Sequence, residues 1–303
     1  MEICCIASGI EVLIISASRR TDIPAFFPAW FLDKIRLSYC TVTNPFNPRQ
    51  VKRVSLKRED VDLFVFWTKN PGPFIKNLVE LDERGYSCYF LFTLTPYSEK
   101  IEPGLDQVKK RLEVFRELSK TIGGERVIWR YDPLIISEEM DFSYHLEKFR
   151  WLAGALKGAT SRAIISLYSP YRSADKRLKK AGIIPVDLGK VMDERRAFLK
   201  EVSKVGVNNG MDVTGCAQEN LQGTGVSPGK CIDDRYIENT FGLKFTEKKD
   251  TGQRPGCGCI PSQDIGFYDT CLHGCLYCYA WRTRNRVEGN FPKHRTDSPS
   301  LLG

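Results

Sequence analysis

The sequence predicts an α/β chain built as a (β/α) barrel or partial barrel. Two observations predict it. Six short segments rich in β-branched and aromatic residues recur through the first two thirds of the chain, and stretches of helical character alternate with them. Such alternation makes βαβ units and a mostly parallel sheet. Six or more units in one chain favour a barrel of TIM type, with a doubly wound open sheet as the alternative.

The strand segments are residues 12–16, 63–68, 88–95, 127–131, 163–167 and 211–214. Most are continuous apolar runs, as in strands buried on both faces. The first helix, 24–37, follows the start signal Asp22-Ile-Pro24. The next, 73–84, stops before Gly85, and 105–122 stops before Gly123-Gly124. A Ser/Glu-rich turn precedes the helix 141–156, and 186–205 stops before Gly206. No internal repeat interrupts the pattern. Residues 12–214 form the barrel body, and residues 1–11 a leader. From 215 the composition turns to Gly, Cys and polar residues, so 215–281 is a Cys-rich segment completing the barrel. Residues 282–303 form a basic tail.

With 303 residues, 42 % hydrophobic and 27 % charged, the chain is neither disordered nor fibrous. No apolar run reaches the ~18–20 residues of a membrane span. Residues 1–15 are apolar, but Glu2 stands where a signal peptide carries basic residues, and Arg19 and Arg20 follow instead. A cytoplasmic protein is therefore expected. Eleven cysteines are many for a reducing compartment. Cys4, Cys5, Cys40 and Cys88 are scattered, whereas seven others crowd the last third, which favours metal or cluster ligation over disulfides.

The strongest motif is Cys271-Leu-His-Gly-Cys275-Leu-Tyr-Cys278, a C-x3-C-x2-C spacing. Three thiolates within eight residues can wrap one cuboidal iron–sulfur cluster, and since most clusters take four thiolates, one iron would stay open for a small molecule. The spacing equally allows zinc, with His273 or a distant cysteine completing a tetrahedron.

The longer run Phe267-Tyr-Asp-Thr-Cys271-Leu-His-Gly-Cys275-Leu-Tyr-Cys278-Tyr-Ala280 resembles the cluster loop of radical S-adenosylmethionine (radical SAM) enzymes, and most of all that of the spore photoproduct lyase branch. The resemblance implies that Cys271, Cys275 and Cys278 hold a [4Fe–4S] cluster. It further implies that SAM chelates the fourth iron and is reductively cleaved to a 5′-deoxyadenosyl radical, with an electron donor such as flavodoxin or ferredoxin as partner. In that superfamily the loop follows the first barrel strand, whereas here it lies near the C-terminus. Thr21-Asp22-Ile-Pro24 is similar to a Thr-Asp-Pro segment after the second strand of that branch, and Arg130-Tyr-Asp132-Pro-Leu-Ile135 to its later Arg-x-Asp-Pro-x-Ile strand end. The order becomes conventional if the C-terminus is joined to the N-terminus, so the chain looks like a circular permutant of a radical-SAM barrel. A strand at 264–268 would then lie beside 12–16, with the cysteines on the rim that carries Thr21 and Asp22. Across residues 12–281, Ile15-Ser-Ala-Ser-Arg-Arg-Thr-Asp-Ile-Pro24, Asn44-Pro-Phe-Asn-Pro48, Phe66-Trp-Thr-Lys-Asn-Pro71 and Trp129-Arg-Tyr-Asp-Pro133 resemble a prokaryotic domain family of unknown function, DUF1848.

Polar residues gather after the other strands, where barrel sites lie. Thr21, Asp22, Arg130 and Asp132 are the candidates for binding SAM; otherwise Asp22 caps a helix and Asp132-Pro133 makes a turn. Lys69 and Asn70 are weaker candidates of the same kind. Cys216, Cys231, Cys257 and Cys259 make a candidate second metal site, for an auxiliary iron–sulfur cluster or zinc, or else are small buried residues, one of which could relay a radical. His145, alone on a helix, reads as structural. Basic groups at Lys52/Arg53/Lys57/Arg58, Lys176/Arg177/Lys179/Lys180 and Arg282/Arg284/Arg286, with a net charge of +8, admit nucleic acid as substrate or partner, or a plain solvated surface. A non-catalytic zinc or iron–sulfur barrel that binds nucleic acid or a protein is the competing reading, and a metal-independent enzyme using Asp132, Lys69 or Arg130 is a third.

Overall fold

A computed structural model describes residues 13–245, 249–254 and 256–303. The leader at 1–11, with Cys4 and Cys5, lies outside the described residues. The strands are β1 (Ile14–Ala17), β2 (Tyr39–Asn44), β3 (Asn47–Ser55), β4 (Leu63–Thr68), β5 (Cys88–Thr93), β6 (Val127–Leu134), β7 (Arg162–Leu167), β8 (Asp212–Cys216), β9 (Ser227–Gly229) and β10 (Gln263–Asp264). Eight of them form one sheet in the order β10-β1-β4-β5-β6-β7-β8-β9, and every ladder is parallel. The remaining pair, β2 and β3, is an antiparallel hairpin.

The helices are α1 (Ile23–Phe26), α2 (Pro28–Leu37), α3 (Gly72–Ile75), α4 (Leu78–Glu83), α5 (Val108–Ile122), α6 (Phe142–Leu156), α7 (Arg172–Lys180), α8 (Met192–Asn208), α9 (Asp234–Phe241) and α10 (Arg284–Asn290). The predicted helix 24–37 is split because Pro28 has no N–H to give and disfavours helical backbone at Phe27, where α1 ends. The predicted 73–84 is likewise two pieces, and the helix predicted from 186 begins only at Met192, after a single 3-10 turn capped by Asp187.

Alternate strand residues face opposite layers. Phe64, Phe66, Phe90, Phe92 and Trp129 face the layer that contains α2, α5, α6 and α8. Phe31 of α2 meets Phe64 and Phe66 with ring centroids 5.3 Å apart, Phe115 of α5 stacks on Phe92 at 4.9 Å, and Phe149 of α6 on Trp129 at 4.7 Å. The opposite face, including Ile14, Leu63, Val65, Tyr89, Leu91 and Ile128, is covered by Ile232, Ile237 of α9, Ile260 and four cysteines. The strand order from β1 to β9 never reverses, and these four helices share one layer. A doubly wound sheet would reverse its strand order partway, and this one does not. The closed barrel expected from the sequence is nevertheless not formed among the described residues, because no ladder joins β9 to β10. The gap is bridged by loops, with Ile260 N–H donating to the Ile232 carbonyl at 3.2 Å.

Of the strand predicted at 264–268 only Asp264 lies in a strand: β10 is Gln263–Asp264, and it is this two-residue piece that pairs with β1. Ile15 stands opposite Gln263 and Ser16 opposite Asp264. Asp264 accepts hydrogen bonds from the Ser16 and Ser18 hydroxyls and from the Arg19 amide, at 2.7–3.1 Å, which locks this short strand in place. The tail folds back on the body: Trp30 Nε1 donates to the Ser298 carbonyl, Lys34 Nζ to that of Asp297, and Leu301 is buried.

His145 is a core group, as a lone helical histidine would be. Its Nε2 lies 3.0 Å from the Ile135 carbonyl and its Nδ1 3.0 Å from the Tyr131 hydroxyl. Burial pushes its pKa down from 6.5 to about 4, against the Ile135 contact, which raises it. The folded protein therefore holds it neutral. The unfolded chain binds its proton first as pH falls, so this stability is full above pH 6.5 and is lost between there and about 4. The loss is about 3 kcal/mol. Urea melts at pH 7.5 and 4.5 should show it, and a His145→Gln chain with the same pH slope would refute it.

Candidate functional site

The cysteine loop sits at the carboxyl end of the parallel strands. His273, in its middle, places Nε2 2.8 Å from Asp22 Oδ2 and Nδ1 3.3 Å from the Gly104 carbonyl. Asp22 has two more duties. Its Oδ1 caps α1 at the Ala25 amide, and its Oδ2 also accepts from the Lys69 amide at 2.7 Å. One carboxylate thus ties together the ends of β1 and β4 and the cysteine loop. Gly104 donates to the His273 carbonyl at 2.9 Å, and a Cβ there would lie 2.7 Å from His273 backbone atoms, so this close approach requires glycine.

Glu102 is the second anchor. It is fully buried, accepts from Lys69 Nζ at 2.8 Å, from Thr95 Oγ1 at 2.7 Å and from the Tyr277 hydroxyl, and lies 3.2 Å from Arg111 Nη1. Burial alone would raise its pKa, but Lys69, Arg111 and these hydrogen bonds hold it below the usual carboxylate range. Arg177 is the third. It lies over the Trp281 ring at 3.9 Å and donates to the carbonyls of Leu276, Cys278 and Trp281. It is therefore a loop clamp and not part of a free basic surface.

Within this cradle the thiols of Cys271, Cys275 and Cys278 are close enough that Cys271 feels the charge of both others. Burial raises all three pKa values, that of Cys275 to about 12, although Lys69 pulls Cys275 down and Arg177 pulls Cys278 down. Such thiols are poor nucleophiles at neutral pH; they suit ligation, where a cation displaces the proton. No group of three or more His, Cys, Asp and Glu among the described residues already stands as the ligands of one bound ion do. A cuboidal cluster asks for something else, since each thiolate takes a different iron. The donor set, three soft thiols beside two cations, fits that group in chemistry.

The other predicted residues divide between two places. Thr21 lies beside Asp22 with its buried hydroxyl unpartnered. Arg130 pairs with Asp132 and lies over Trp67 at 4.9 Å, while Arg19 lies over the same ring at 5.0 Å. Arg130 is also within electrostatic reach of Cys216 and Cys231, in the second cysteine set. Asn70 caps the turn into α3, accepting from the Gly72 amide. Of the basic groups, Lys52 and Arg53 lie on β3, and Lys176, Lys179 and Lys180 on α7. Glu102, Arg111, Asp264 and the clamp role of Arg177 were not found from sequence. Glu102 and Asp264 carry no spacing signal, and Arg177 was hidden in a run of like charges.

A family model described as a domain of unknown function, DUF1848, matches residues 14–280. No curated protein matches the chain.

Proposed function

We propose that this chain, which belongs to the DUF1848 family, is a radical SAM enzyme on a circularly permuted partial (β/α) barrel. The observation that carries this reading is the cysteine loop itself, which follows a strand paired with β1 and is tied by His273 to Asp22 at the carboxyl rim. When bound, the [4Fe–4S] cluster and SAM supply the reductively generated 5′-deoxyadenosyl radical. The protein does the rest. Cys271, Cys275 and Cys278 would hold the cluster, with Cys275 buried and the other two half-buried. Asp22 and Glu102 fix the loop through His273 and Tyr277. Thr21, with an unused hydroxyl beside Asp22, offers a hydrogen bond to a polar ligand such as SAM. Electrons come from a donor of the flavodoxin or ferredoxin kind. The substrate class is a nucleotide or nucleic acid, which the basic β3 hairpin and α7 would attract.

The test is anaerobic reconstitution with iron and sulfide, reduction, and addition of SAM. Release of 5′-deoxyadenosine is expected. A chain that holds four irons yet releases none would overturn the assignment, as would a chain that takes up no iron.

A further inference from the structure

The four remaining cysteines of the last third are gathered on the sheet face opposite α2, α5, α6 and α8. Cys216 ends β8, Cys231 follows β9, and Cys257 and Cys259 precede β10. All are buried and free. The sulfurs of Cys216 and Cys231 are 3.6 Å apart, and Cys259 lies near enough to Cys231 and Cys257 for their thiols to influence one another. The Ile232 amide also donates to the Cys259 sulfur, at 3.4 Å. Cys216 lies near enough to Cys257 and Cys259 for their charges to interact. The thiols are therefore gathered in one place, with one sulfur–sulfur contact, and do not form a closed shell.

The surroundings are cationic. Arg19 faces Cys259 and Cys231, Arg130 faces Cys216 and Cys231, and Arg254 faces Cys216. Arg19 Nη2 and Arg130 Nε are buried donors without a partner. Buried unpaired donors are costly, and an anion beside them would remove that cost.

We propose that Cys216, Cys231, Cys257 and Cys259 bind a single zinc-class dication as a tetrathiolate, reached from this arrangement by rotation of the cysteine side chains. Zinc–sulfur bonds of ~2.3 Å make a tetrahedron with edges of about 3.8 Å, which the 3.6 Å sulfur separation already approaches. Two sulfurs that close share one ion; they do not sit on two corners of a cuboidal cluster. Each thiol that enters the shell gives its proton to water. Four thiolates and one dication sum to two negative charges, which Arg19, Arg130 and Arg254 offset. The ion would join the end of β8 to the loops after β9 and before β10, and so fasten the two free edges of the sheet. This centre is independent of the cluster loop.

The test uses the full chain carrying Cys275→Ala, which removes a ligand of the other set. About one tightly held zinc per chain is expected, and cobalt in its place should give the visible bands of a tetrahedral ion with thiolate charge transfer. Cys231→Ser or Cys216→Ser should lower zinc at least tenfold while circular dichroism confirms a folded chain. Should both fail to fold, the cobalt titration of the Cys275→Ala chain decides alone. Absence of zinc and of cobalt bands, acid-labile sulfide in the Cys275→Ala chain, or a recovered Cys216–Cys231 disulfide would each overturn the proposal.

Discussion

Replacing Cys275 with alanine is expected to abolish iron–sulfur binding at the loop and 5′-deoxyadenosine release, by more than about 100-fold, since loss of even an outer partner of a metal ligand typically costs 10–100-fold. The fold should survive. Cys275 contributes its backbone carbonyl to Trp281 Nε1 at 3.0 Å, and alanine keeps that bond. Iron and sulfide content, together with a thermal melt, separate the two effects. A variant that retained its iron and its SAM cleavage would remove the loop from the cluster assignment.

Glu102→Gln should be the most damaging single change to stability. The glutamine would leave Lys69 and Arg111 without their shared counter-charge, and Arg111 is buried. Breaking a buried charge set by removing one partner costs about 3–5 kcal/mol, which lowers the melting temperature on the order of 10 °C. The sign with pH follows from the direction of the shift. Glu102 sits below its ordinary 4.5 in the fold, so its stabilisation is present above that pH and is lost as acid reaches the folded value. The gap between the native chain and Glu102→Gln should therefore close in strong acid. A loss under about 0.5 kcal/mol at pH 7 would show that the cations find other partners.

The repeating strands were legible because buried parallel strands are apolar throughout. The run 63–68 is β4 as expected, and 88–95 overshoots β5 only because Leu94 and Thr95 remain buried after the ladder ends. The hairpin of β2 and β3 was missed, although an Asn-Pro-Phe-Asn turn lies between its strands, because β3 is nearly all exposed and has no apolar run to announce it. The sheet's failure to close was not legible either. β9 and β10, three and two residues long, are too short to leave a periodic signal, so whether they meet could not be read from the pattern. At the site, spacing marked the three loop cysteines. It could not mark Glu102, whose importance lies in what reaches it from β4, α5 and the cysteine loop.

The pairing of β1 with β10 carries a cost in time. Residues 14–17 leave the ribosome early, while their outer neighbour, residues 263–264, is made almost 250 residues later. At ~5–20 residues per second that interval is roughly 12–50 s, during which one edge of β1 has no ladder partner. Open edges of this kind recruit strands from other chains. The cysteine loop, following directly on β10, emerges later still, onto a sheet whose other seven strands are already made. Slow translation or a truncated product should therefore show itself as aggregation of the nascent chain, before any effect on cluster loading could be seen.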